Sequence, residues 1–310
     1  MLGLSFLQEH AGEAAQAAEH AAEAAGHGEG AFDLGEMLSH HILDAAEYEL
    51  PLIGPVHFPH FEPIHLGPIA LDLSPSKHLV LMLLAALLSG LAMLVVARAV
   101  RRKYVEDAPS GFANAVEAMV VFFRDDVCKT NIGHGYEKFV PFILTLFFFI
   151  LTMNLFGLLP WGGTATGNLS VTAALAVITF LVVEIAGFIK LGPVGYAKTI
   201  FFIPEGTEGV WKIIMLLVMT PVELLSKFTK PFALAIRLFA NMTAGHMLIF
   251  SLLGLIFVFQ SYVVARWFVA GASFAMVSAI MLLELLVALI QAYIFAMLSA
   301  VFIGLMQHEH

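Results

Sequence analysis

PFALAIRLFANMTAGHMLIFSLLGLIFVF, residues 231–259, poses the question around which the rest of the chain is organised. The stretch is apolar along its length and reads as a helix, yet it carries Arg237, then Asn241 and His246. A guanidinium keeps its charge at any accessible pH, so burial cannot be eased by losing a proton. At bilayer depth it costs at least ~3 kcal/mol on insertion scales, which makes a functional role the default reading. The next fixed charge downstream is Arg266, so Arg237 lies too deep in the segment to snorkel easily. It needs an anionic partner.

The 310 residues are 60% hydrophobic and only 13% charged. With a mean hydropathy of +0.88, this is an all-α polytopic membrane protein. The single cysteine, Cys128, forms no internal disulfide. The net charge of −9 is unevenly spread: no Lys or Arg precedes Lys77, whereas twelve of the 24 acidic residues fall in 1–75. A segment without basic residues can be moved across a membrane, and the positive-inside rule then puts it outside. The opening MLGLSFL is too short for a signal h-region, and the lack of arginine argues against a mitochondrial transit peptide.

Two regions follow: an acidic, His-rich N-terminal region, 1–75, on the outer (periplasmic) side, and a membrane domain, 76–310. Residues 9–25 read as a polar helix and 31–48 as a second short one; the Pro-rich run 51–75 reads as a loop. Eight histidines precede residue 75, including His57, His60 and His65, but their spacing fits no closed zinc ligand set. The first span is Leu79–Ala97, and the basic cluster Arg98, Arg101, Arg102 and Lys103 makes its far end cytoplasmic. Phe112–Val127 is amphipathic and is expected along the cytoplasmic surface. Phe139–Leu159 leads outward to an uncharged exit, and Leu169–Ile189 returns inward toward Lys190 and Lys198 with one acid, Glu184, inside it. About five crossings result, with the C-terminus cytoplasmic.

The last two segments are too long for simple crossings. A helix over 208–260 would run roughly 75 Å against a hydrocarbon core of ~30 Å. Trp267–Met306, with Glu284 and Gln291 inside it, has the same excess. Two long, strongly tilted antiparallel helices are expected, with upright hairpins as the alternative.

Projected at about 100° per residue, Glu223, Ser226, Lys230 and Asn241 all fall within about 40° of Arg237. Lipid does not tolerate such a stripe, so it lines water or meets a polar partner. An arginine paired within its own chain is the plainer alternative. His246 projects to the opposite side. With Gln291 placed level with Arg237, Glu284 falls ~10 Å and His246 ~13 Å further outward. A histidine and a carboxylate at matching depth suit a proton relay, although a static hydrogen-bonded pair would read the same way. Glu223 lies on the other side of Arg237, toward the cytoplasm. Polar groups thus occur at two depths, as two offset half-channels would require.

The chain resembles subunit a of F-type ATP synthases, the membrane stator against the rotating ring of c subunits, over roughly residues 70–310. The resemblance is carried by Glu223-Leu-Leu-Ser226, by Ala235-Ile-Arg237-Leu-Phe-Ala-Asn241-Met-Thr-Ala-Gly245-His246, and by Glu284 through Gln291-Ala-Tyr-Ile-Phe295. Met153-Asn-Leu-Phe-Gly-Leu-Leu-Pro160 also matches the family's outward span. It implies that Arg237 faces the ring carboxylates and that His246, Glu284, Asn241 and Gln291 line the inlet. Glu223 and Ser226 would line the outlet. Many bacterial members carry a carboxylate where this chain has His246 and a histidine where it has Glu284; the arrangement here resembles the mitochondrial form. The implied partners are the c-ring, b-type peripheral stalk subunits, the whole synthase and membrane lipid, with no nucleic acid, cofactor or metal. The implied location is a bacterial plasma membrane, with the mitochondrial inner membrane second. The chain has no phosphate-binding loop of the G-x-x-x-x-G-K-[ST] kind, so ATP chemistry belongs to partners. A free-standing cation channel and a membrane oxidoreductase scaffold are the rival functions; no internal repeat favours the first, and one intramembrane histidine is too few for a bis-His haem.

Overall fold

A computed structural model describes residues 47–50, 54–57, 64–66, 69–71, 74–103, 111–159, 164–201 and 210–307. The helix expected over 9–25 and most of that over 31–48 lie outside the described residues. Within the Pro-rich run expected as a loop, the chain instead forms two antiparallel hairpins. β1 (Glu47–Leu50) pairs with β2 (Gly54–His57), and β3 (Ile64–Leu66) pairs with β4 (Ile69–Leu71). Glu47 and Tyr48, expected at the end of the second helix, belong to β1. Strands of three or four residues are too short to show a periodic signal, and Gly and Pro between them mark turns as readily as loops.

The membrane domain follows the expected plan. α1 (Lys77–Lys103), α3 (Val140–Gly157), α4 (Leu169–Ile200), α5 (Val210–Val258) and α6 (Val263–Gln307) each contain a stretch long and apolar enough to cross a membrane. Between α1 and α3 comes α2 (Phe112–Phe122), the amphipathic segment. It continues through a π-helical turn, Phe123–Lys129, into Thr130–Ile132. Only one face of this stretch is buried, through Val116, Phe123, Val127, Cys128 and Ile132. The Phe123 ring packs tilted against Phe147 of α3, with centroids 4.5 Å apart, and edge-on against Tyr293 of α6 at 6.0 Å. Burial pushes the Cys128 thiol up to about 11, so it stays neutral and packs as a small apolar side chain.

Two compact units divide the described chain. One is the hairpin Ala244–Leu282, and the other comprises Asp44–Thr243 with Leu283–His310. In the hairpin, α5 ends in a turn closed by hydrogen bonds from Phe259 to Leu255 and from Tyr262 to Phe259, and α6 begins. In the larger unit, α3 is central. Ile143, Phe147, Ile150 and Met153 are essentially buried there, in one core with Val183 of α4, Leu238 of α5 and Phe295 of α6. α1 packs on α3 while exposing Leu83, Leu87, Leu91 and Leu94, three to four residues apart, as a lipid-facing stripe.

Local chemistry sets the ends and breaks. Asn168 caps α4, its side chain accepting from the Ser170 N–H at 2.8 Å. Gly192 interrupts α4 with φ 69°, a conformation that disfavours any residue with a Cβ, and Pro193 restarts a short helix behind it. The return span therefore ends close to the expected Ile189. Both α5 and α6 exceed what ~30 Å of hydrocarbon needs, at 49 and 45 residues. α5 remains helical through Pro221 and Pro231.

The tightest approach in the larger unit is at Gly304 of α6. A Cβ there would sit 1.9 Å from the Asn131 carbonyl oxygen. Backbone on both sides leaves nothing to yield. Gly304→Ala is expected to destabilise the domain by ~1–3 kcal/mol, as overpacking does. A lowered unfolding midpoint in detergent checks this, and an unchanged midpoint would contradict the packing.

Candidate functional site

α6 presents Ala288, Ala292, Ala296 and Ala300 at every fourth position, all fully buried. α5 buries Leu234, Leu238 and Met242 in the same unit. The polar residues of both helices are held by this apolar packing.

Asn241 donates through Nδ2 to Gln291 Oε1 at 3.1 Å. Gln291 is buried and Asn241 exposed on its other side. Gln291 is thus level with Asn241, about one turn beyond the expected register with Arg237. Glu284, two turns before Gln291 on α6, is buried at 6% exposure. His246 belongs to the hairpin unit, where its half-buried ring lies 6.4 Å from that of Phe250.

Arg237 is exposed on α5. It opens onto a cleft of about 290 Å³ lined by Thr229, Lys230, Ala233, Leu234, Leu298 and Phe302. Two cations share this cleft, and no acid lines it. Among the described residues no carboxylate comes within ion-pairing distance of Arg237. Lys230 and Arg237 of the expected stripe line one cleft, and the arginine is not neutralised by a described acid of its own chain.

Further along α5, Glu223, Lys227 and Lys230 line a smaller cavity with Glu184 of α4 and Phe302 of α6. Lys227 is paired to Glu184 at 3.3 Å. Ser226 lines neither cavity; its carbonyl accepts from the Thr229 hydroxyl at 3.0 Å. The sequence reading missed Lys227, which projects about 80° from Arg237 and so fell beside the stripe. It also gave no role to Asn154, whose signal is that of a lone amide inside an apolar span. Asn154 is fully buried, donates to the Ala288 carbonyl at 3.3 Å and accepts from Thr166 at 2.8 Å. Thr166 in turn lies 2.8 Å from the Thr164 hydroxyl.

A helical membrane bundle that exposes an arginine beside a second cation, a bridging amide pair and a buried ion pair is a subunit built to handle ions within the bilayer. Residues 79–304 match the family model described as ATP synthase A chain. The chain is 45% identical over 294 residues to "ATP synthase subunit a 2" of Chlorobaculum tepidum, covering 94% of this chain and 79% of that one. It is 49% identical over 271 residues to "ATP synthase subunit a" of Chloroherpeton thalassium, with 87% and 76% covered. Against "ATP synthase subunit a 2" of Prosthecochloris aestuarii it is 44% identical over 306 residues, with 98% and 89% covered. The chain belongs to the ATP synthase A chain family, the proton-translocating stator subunit of the membrane sector of F-type ATP synthases. The family resemblance read from the motifs is borne out, and the free-standing channel is not favoured. The protein is a multi-pass membrane subunit of that complex, with bacterial relatives.

The Asn241–Gln291 bridge is a side-chain hydrogen bond that joins α5 to α6. Asn241→Ala and Gln291→Ala are expected to show a coupling of ~1 kcal/mol in a double-mutant cycle on unfolding in detergent. Strict additivity would show that the bond contributes nothing.

Proposed function

We propose that Arg237 is the fixed stator charge that faces the carboxylates of the c-ring, and that two offset half-channels meet it from opposite sides of the membrane. The observation that carries this is the exposed guanidinium in a cleft with Lys230 and no acid. A cation left unneutralised in an apolar helix is stable only if the countercharge comes from another polypeptide. A ring of hairpin subunits with buried carboxylates fits that requirement. Glu284, Asn241 and Gln291 line the inlet, and the family resemblance adds His246. Glu223 lines the outlet through the cavity it shares with Glu184 and Lys227, and the family resemblance adds Ser226.

The mechanism follows from desolvation. A proton arriving through the inlet neutralises a ring carboxylate, whose transfer into lipid then costs far less. Rotation carries it round to the outlet, where it ionises beside Arg237. The guanidinium favours the ionised form and repels protons, so protons do not pass directly between the half-channels. Each proton delivers ~2.3 kcal/mol per 100 mV of membrane potential. A histidine and carboxylate in the inlet suit proton transfer near neutral pH.

The basic cluster at the end of α1 supports a cytoplasmic C-terminus and an outer N-terminal region, 1–75. A bacterial plasma membrane is the location, and b-type stalk subunits hold the stator in place. Arg237→Ala is expected to abolish ATP-coupled proton transport in reconstituted vesicles while allowing passive proton leak through the membrane sector. Normal coupling in that variant would sink the proposal.

A further inference from the structure

Glu184, Tyr196, Thr199 and Lys227 form a largely buried polar cluster that the mechanism above leaves unused. In an unbroken helix Tyr196 would lie ~18 Å along the axis from Glu184. The break at Gly192 turns the chain, so that the Tyr196 hydroxyl donates to Glu184 Oε2. Lys227 enters from α5 and donates to the same carboxylate oxygen at 3.3 Å and to the Thr199 hydroxyl at 3.3 Å. Its ammonium also lies 4.7 Å from the centroid of the Tyr196 ring. The two charged side chains are only 7% and 14% exposed.

A buried ion pair of this kind is poor cement. Apolar residues of the same volume commonly hold two helices as well or better, because each ion loses several kcal/mol of hydration. Its surroundings point to a use. Glu184 and Lys227 share with Glu223 and Lys230 a cavity of about 40 Å³. That exceeds the ~10–15 Å³ that one water needs, and the polar walls offer such a water its partners. Two carboxylates and two ammonium groups thus surround one water-sized space beside the residue assigned to the outlet.

We infer that Glu184 is a second proton-handling carboxylate of the outlet, with Lys227, Tyr196 and Thr199 as its positioning residues. The inference rests on the reading of Glu223 as an outlet residue. The groups facing Glu184 are Tyr196 and Thr199 from its own helix beyond the break, and Glu223, Lys227 and Lys230 from α5. The α6 residues on this cavity, Phe302, Leu305 and Met306, carry no charge. Glu184 and Glu223 line one water-sized cavity, so a proton taken by one carboxylate is passed on through water to the other or to bulk. The Tyr196 hydroxyl and the Thr199 hydroxyl fix carboxylate and ammonium so that the exchange keeps its geometry. During ATP hydrolysis protons enter by this path, and a second carboxylate matters most when protons are scarce.

The test is ATP-driven proton pumping by the assembled synthase in inverted vesicles, measured from acid to alkaline pH. Glu184→Gln alone strands the Lys227 charge, so Glu184→Gln with Lys227→Met is the decisive variant. It is expected to assemble, to pump at the normal rate in acid and to lose several-fold activity at alkaline pH. A wild-type profile in an assembled double variant would reduce the pair to a structural brace and overturn the inference. Tyr196→Phe keeps both charges and is expected to show a smaller loss at the same alkaline end. Should the double variant not assemble, a wild-type profile for Tyr196→Phe is the overturning result. Glu223→Gln separates the two readings. If it alters the profile and the Glu184 variants do not, only the second carboxylate is lost; if it alters nothing, the outlet assignment itself fails.

Discussion

A positive charge that cannot be discharged, set in an apolar helix with no described acid of its own chain beside it, constrains everything else in this membrane domain. Arg237 would be cheaper to remove than to keep if the chain had only to fold. The helix around it is organised to keep it exposed. Leu234, Leu238 and Met242 take the buried face of α5, and Lys230 shares the cleft instead of a neutralising carboxylate. Coulomb repulsion between the two cations is tolerable only where an anion approaches from outside.

The packing that holds this charge in place is made of small residues and close backbones. Alanines are buried at every fourth position of α6, and Gly304 lets its backbone meet that of Asn131 at short range. The amides Asn241–Gln291 and Asn154 with its threonine partners add directional bonds where lipid offers none. Rigidity matters here because a stator must resist the torque of whatever moves against it. The apolar exterior, by contrast, asks only for lipid, as the outward leucines of α1 show.

Much of this was legible in the sequence. Long apolar runs marked the five crossings, and the excess length of the last two followed from 1.5 Å per residue. The period of the helix put Lys230 and Arg237 on one face, and both line one cleft. The rest depended on where distant segments meet. Gly192 reads as an ordinary glycine until its φ of 69° turns Tyr196 back onto Glu184. The pairing of Lys227 with Glu184 joins residues 43 positions apart, and no local period carries that information. The register of Asn241 with Gln291, one turn from the expected one, is set by side-chain packing between α5 and α6. The short hairpins within 47–71 were hidden because turn residues announce a loop whether or not strands flank it.

The account rests on the claim that the countercharge of Arg237 is supplied by a separate, moving subunit. The most direct measurement is the structure of the assembled membrane sector, read at this one side chain. The account predicts the guanidinium turned toward the ring, close to a ring carboxylate, with no acid of its own chain in contact. A guanidinium paired to a carboxylate of its own subunit, or turned away from the ring, would contradict it.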